Sequence, residues 1–188
     1  MNARLLTVFC LVVLVSACAP WTRVAPDERG FEKHDDYRLD LPIGWVRRTA
    51  DVNDLFLTRD GPALNFIVAT RQPHDRKLPN TKRETRADML PFELAELALA
   101  EWRSNDATAN LEVLSNTPAT LGGKPAMRLH VRYKNERGLP IERLMVAMVD
   151  ARGRLSLLYE APAIVYFARG QSAFESMIAS LRFTASPP

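Results

Sequence analysis

The chain predicts an α+β fold, one antiparallel β-sheet covered by helices, and three observations point to it. Short runs of alternating apolar residues recur between turn dipeptides across most of residues 37–160. Two segments switch to the three-and-four spacing of a helix. The resulting order is strands, helix, strands, helix and a closing strand, which sets helices apart from a sheet instead of alternating with it.

Tyr37, Leu39 and Leu41 alternate with Arg38 and Asp40, the period of a half-buried strand. Leu41-Pro42-Ile43-Gly44 then places Pro second and Gly fourth in a type I turn, and Trp45 re-enters directly after it. Leu55–Arg59 and Ala63–Arg71 flank Asp60-Gly61, a strong hairpin signal. Glu112–Leu121 and Lys124–Lys134 flank Gly122-Gly123, a second two-residue hairpin candidate. In the latter strand Met127, Leu129, Val131 and Tyr133 share one face, with Arg128, His130 and Arg132 on the other. Asn135–Gly138 and Asp150–Gly153 punctuate two further runs, Leu139–Val149 and Arg154–Glu160. Strands joined by such tight turns pair antiparallel.

In PFELAELALAEWRS, Phe92, Ala95, Leu99 and Trp102 fall on one helical face, while Glu93, Glu96 and Arg103 point away. Asp88 is the expected N-cap, and Pro91 sits in the first turn, where its missing N–H does little harm. Phe167, Gly170, Phe174, Met177 and Leu181 repeat at helical spacing near the C-terminus, and Leu181–Thr184 reads as a last short strand.

The first 17 residues, MNARLLTVFCLVVLVSA, hold one positive residue, Arg4, ahead of an uncharged run from Leu5 to Val15. A membrane span needs roughly 20 apolar residues; this run fits the apolar core of a secretory signal. Val15-Ser16-Ala17-Cys18 resembles the bacterial lipobox. That resemblance implies cleavage before Cys18, diacylglycerol on its thiol and three acyl chains in all. One chain gives marginal membrane binding, whereas two or more anchor stably. Cys10 would be discarded, leaving Cys18 alone and no intramolecular disulfide, although export leads to a disulfide-permissive compartment. Ala19, in place of the aspartate that retains enteric lipoproteins at the inner membrane, implies the outer membrane facing the periplasm.

The expected organisation is a signal peptide over 1–17, lipidated Cys18 with a flexible tether to 35, and one domain over 36–185. The tether reading rests on two prolines and seven charges in residues 19–35 without sustained periodicity. Fully extended it reaches on the order of 50–60 Å. Removing Arg4 from a net charge of +3 leaves +2, too little for a nucleic-acid footprint.

Tyr37…Leu41-Pro42-Ile43-Gly44-Trp45 resembles the opening of PsbP-like domains. Ala119-Thr120-Leu121-Gly122-Gly123-Lys124-Pro125-Ala126 and the ending Leu158-Tyr159-Glu160-Ala161-Pro162…Phe174…Met177…Ser180-Leu181-Arg182-Phe183 are similar to the PsbP/DcrB-like group of exported bacterial proteins. The resemblance covers about residues 37–184. It implies a central antiparallel sheet sandwiched between helices, carries over no catalytic residue, and implies a protein that binds partners or assists assembly.

Candidate chemistry is sparse. His34-Asp35-Asp36 sets three ligand-type side chains in a row, but adjacent residues rarely converge on one centre, and further ligands at suitable spacing are missing. It reads as a solvated polar run, and His130 as an imidazole on a strand's polar face; no metal or cofactor is expected. No Gly-x-Ser-x-Gly elbow, P-loop or His-Glu-x-x-His occurs. Residues 74–86, HDRKLPNTKRETR, set Arg76, Lys77, Lys82, Arg83 and Arg86 against Asp75 and Glu84. This segment is either a solvated connector or a contact for anionic head groups. Tyr159, Pro162, Tyr166 and Phe167 line a groove or belong to the core.

These readings lead to a non-enzymatic, periplasm-facing lipoprotein, held to the membrane through Cys18, that serves an envelope protein partner as a binding or assembly accessory. A small-ligand or lipid-binding module with a cavity between sheet and helix is the alternative, and an enzyme of unrecognised type the third reading. A large apolar pocket would favour the second, an exposed apolar patch the first.

Overall fold

The computed structural model describes residues 21–33, 36–49 and 55–184. The strands, in chain order, are β1 (Trp21–Arg23), β2 (Gly30–Lys33), β3 (Tyr37–Asp40), β4 (Val46–Arg48), β5 (Leu55–Thr58), β6 (Phe66–Gln72), β7 (Ala109–Leu121), β8 (Lys124–Lys134), β9 (Pro140–Asp150), β10 (Gly153–Pro162) and β11 (Arg182–Phe183). Helix α1 (Pro91–Arg103) falls between β6 and β7, and α2 (Tyr166–Ser180) precedes β11. Eight strands form an antiparallel sheet in the order β1-β4-β5-β6-β10-β9-β8-β7, with both helices packed against it.

The expectation of one sheet needs correcting. β3 leaves the main sheet and pairs instead with β2 and β11. A two-sided ion pair ties the small sheet back: the Arg71 guanidinium on β6 lies 2.6 Å from Asp36 and 2.9 Å from Asp150. Thr184 N donates to Asp36 O at 3.0 Å beside it.

The tether is corrected too. Residues 21–33 are built into both sheets: Trp21 pairs with Arg48, Phe31 with Leu39, and Val24 N donates to Trp45 O at 2.8 Å. Short edge strands carry charges because a long apolar edge would template aggregation. Charge and proline therefore make them look like linker.

Turn chemistry decides the connections. The Gly122-Gly123 hairpin forms as expected, with φ of 57° and 83°, the left-handed pair that a type I′ turn requires. A side chain at Gly122 would also strike the Phe183 ring. Asp60-Gly61 is not a two-residue hairpin. Residues 59–65 make a longer loop, organised by the buried Asn65, whose Oδ1 accepts the Arg59 and Asp60 N–H groups and whose amide donates to Asp60. The proline turn runs from Pro42 to Trp45, one residue later than expected, with Gly44 at φ 79° in its third position. Such a φ belongs to a type II turn, not type I.

Along β9, Leu144, Val146 and Met148 join Leu157 and Tyr159 of β10 and Phe167, Phe174 and Met177 of α2 in one core. The alternate residues Met145 and Ala147 join Met127, Leu129 and Val131 of β8 and Leu94, Ala95, Leu99 and Trp102 of α1 in another. The two cores thus use strand residues of opposite parity. α2 buries Phe167, Gly170, Phe174 and Met177 as its spacing predicts, with Gly170 so close to Tyr159 that a Cβ would lie 2.3 Å from its hydroxyl. α1 departs from expectation. Its buried stripe also takes in Leu97 and Glu101, which turns Phe92 out to 62 % exposure. Leu90 is its N-cap, with its N–H donating to Glu93, while Asp88 pairs with Arg86 instead.

Candidate functional site

The register places β1 antiparallel to β4, β4 to β5, and β5 to β6. β1 therefore begins at the sheet end where β6 finishes at Gln72 and β10 starts at Gly153. Residues 73–90 leave β6 at this same end. His74 pins them there, with Nδ1 2.9 Å from the Thr85 hydroxyl and Nε2 2.8 Å from Asp150 O. Arg76, Lys77, Lys82, Arg83 and Arg86 are all exposed on this segment. Lys82 donates to Pro79 O, and Arg86 stands 3.2 Å from Asp88. At the same sheet end Lys124 lies 3.0 Å from Asp150 and 4.1 Å from the centre of the Phe183 ring. Burial alone would raise the Asp150 carboxyl, but Lys124, the Arg152 N–H and Arg71 outweigh it and hold it below its ordinary value.

The opposite end carries apolar surface. Ala163 N donates to Pro140 O at 2.9 Å, and around this bond Leu139, Ile164 and Val165 are 43 %, 71 % and 49 % exposed. Val165 adopts φ 73°, a strained backbone for a β-branched residue. Tyr159 holds the following turn by donating between Tyr166 O and Phe167 O, and burial pushes its hydroxyl up to about 12.

A pocket of about 390 Å3 lies beside α1, walled by β6, β9 and β10 and by residues 78–80. Phe66, Val68, Leu158 and Met145 supply apolar wall. The charged lining residues are Arg143, Glu160, Glu101 and Arg154. Arg143 donates to Glu160 at 2.6 Å and stacks on Trp102 and Tyr133; burial pushes the Tyr133 hydroxyl up to about 12. Burial alone would raise Glu101, yet hydrogen bonds from Thr81 and Asn80 hold it below its ordinary value. Arg154 differs: its Nε is buried and has no hydrogen-bond partner.

His34, Asp35 and Cys18 lie outside the described residues. Asp36 is engaged by Arg71, and among the described residues no cluster of three ligating side chains forms. His130 is partly covered, stacked on Phe167 at 5.0 Å, with Nε2 2.8 Å from Glu142, which also takes Arg132. Tyr159, Pro162 and Phe167 are core, and Tyr166 is half-exposed at its edge. The pocket escaped the sequence because its charged groups stand up to 59 positions apart, from Glu101 to Glu160. One signal was present: Glu101 interrupts an apolar stripe next to Trp102.

No family model matches the chain, and no curated protein matches it. Solved structures do. Cyanobacterial PsbP (CyanoP) of Synechocystis sp. PCC 6803 superposes with a TM-score of 0.52 at 14 % identity, over 90 % of this chain and 95 % of that one. The Ran-binding protein Mog1p of Saccharomyces cerevisiae superposes with a TM-score of 0.52 at 9 % identity, over 86 % and 93 %. A Bacteroides thetaiotaomicron protein matches over 88 % of this chain, which spans only 48 % of that protein, with a TM-score of 0.48 and 10 % identity. At such identities the likeness to PsbP and Mog1p is one of architecture, and this chain has a PsbP-like fold.

Proposed function

We propose that this chain is a non-catalytic lipoprotein, anchored through a lipid on Cys18 to an envelope membrane, the outer membrane facing the periplasm, where it serves an envelope protein as a binding or assembly accessory. We read its two cores as the layers of a sheet sandwiched between helices.

One observation carries the reading: the two ends of the sheet differ. β1 starts at Trp21, three links after Cys18, so the lipidated sulfur is held within about 11 Å of the domain plus its side chain. The sheet end where β1 starts also carries the exposed basic segment 74–86. Each basic residue near an anionic surface is worth about 1 kcal/mol. The other end offers Leu139, Ile164 and Val165 to a partner, well away from the lipid.

Replacing Cys18 with Ser tests the anchor. It should abolish incorporation of labelled palmitate and release the chain from membranes; persistent labelling refutes the proposal. A second reading, a small-ligand module, draws on the pocket beside α1, whose volume falls in the range of ligand sites.

A further inference from the structure

We propose that the pocket beside α1 binds a monoanionic ligand with an apolar body, its oxyanion held by Arg154. The inference deepens the small-ligand reading and stands apart from the lipid anchor. Its starting point is an imbalance inside the pocket. Glu160 is engaged by Arg143, and the Glu101 carboxylate by the backbone and side chains of Asn80 and Thr81. Arg154 alone among the charged lining residues makes no such bond at its buried Nε, and Glu101 acts on it only at a distance. Arg154 itself is only partly covered, but burying its Nε–H without a partner is costly, and such a group is completed by something that enters the pocket. Burial pulls the Arg154 guanidinium below its ordinary value, with Glu101 opposing, which shows the same deficit.

The arrangement selects chemistry. One unengaged guanidinium matches one negative charge, and its planar fork suits a carboxylate or phosphodiester in bidentate contact. Ser156 shares the wall with Arg154, two positions along β10, and its hydroxyl lies 3.0 Å from that of Thr70. The pair therefore has a donor to turn toward a second oxygen. From there Leu158, Val68 and Phe66 continue the wall toward the opposite sheet end, which gives an acyl or similar chain an apolar path. A cation would meet no free acid in the lining, and a polyanion would meet too little positive charge.

The shared chemistry, one oxyanion on an apolar chain, has two sources: a free fatty acid or an anionic phospholipid. Calorimetric titration of the full chain with decanoate, with dihexanoyl phosphatidylglycerol and with neutral decanol separates them. Decanoate or the phospholipid should bind at least tenfold more tightly than decanol. Arg154→Gln should erase that preference and Arg154→Lys should restore part of it. Whichever anion shows the Arg154-dependent preference identifies the source. Equal affinity for decanoate, the phospholipid and decanol, or anion binding untouched by Arg154→Gln, overturns the anion assignment and leaves the pocket as an apolar site. Absence of binding in all three arms overturns the ligand reading as well. A thermal melt without ligand guards against misfolding: Arg154→Met should raise Tm, whereas a fall marks the arginine as structural and overturns the proposal.

Discussion

The two ends of the main sheet are built from the same strands yet present opposite chemistry. At one end the turns and segment 73–90 expose arginines and lysines beside an ion-pair network of Arg71, Asp36 and Asp150, with the half-exposed Lys124 at its edge. At the other, Leu139, Ile164 and Val165 stand in solvent over a strained backbone. The difference teaches how an antiparallel sheet gains direction. Strands alternate in sense, so neither end is marked by strand polarity; the connections mark it. A long basic connection lies at one end, and the exposed apolar residues Leu139, Ile164 and Val165 at the other. β1 then adds an address, because its first residue lies at the basic end.

The largest expected effect comes from breaking the basic end. In a chain lacking the lipid (Cys18→Ser), Lys82→Glu, Arg83→Glu and Arg86→Glu together should weaken sedimentation with anionic vesicles by roughly a hundredfold or more, at about 1 kcal/mol for each charge removed. The reversals Lys134→Glu and Arg137→Glu, at the far end, should leave binding nearly unchanged. Equal losses from both sets would erase the distinction between the ends.

A smaller effect concerns how the basic segment is held. Glu101 clamps Asn80 and Thr81 onto α1 through both backbone N–H groups and both side chains. Glu101→Gln should cost about 1–3 kcal/mol in chemical unfolding, because donors then lose a charged acceptor. The pH dependence follows in sign. The folded carboxyl titrates below its ordinary value of 4.5, so its contribution is complete above that pH and is lost as pH falls through the lower folded value. Thermal melts from pH 6 to pH 3 should therefore converge for the wild type and the Glu101→Gln chain. A constant gap would show that the clamp does not depend on the charge.

Much of this was legible in the sequence, and the failures share causes. Strand β8, the Gly122-Gly123 hairpin and the stripe on α2 were readable because period and turn residues agree over ten or more positions, and β7, β9 and β10 because turn residues bound each long run. β1 and β2 span three and four residues, too short for any period, and their charges read as linker. The second sheet forms because β3 pairs with β11 at the far end of the chain, and Arg71 meets Asp36 across 35 positions to tie it to the main sheet; no local pattern encodes either contact. Phe92 was misplaced because any four apolar residues at helical spacing define a face, while the packed face centres on Leu94, Leu97 and Glu101. The basic segment could be counted from composition. The Arg154 pocket could not, because it exists only once β6, β9 and β10 lie side by side.

The polarity of the sheet is tested most directly by amine-reactive labelling of the membrane-bound chain, compared with the soluble Cys18→Ser chain. Lys77 and Lys82 belong to the basic end, and Lys134 closes β8 at the opposite end; all three are exposed. Protection of Lys77 and Lys82 on the membrane, with Lys134 labelled equally in both states, is the predicted result. Uniform labelling of all three, or protection of Lys134 alone, would contradict an orientation set by the basic end.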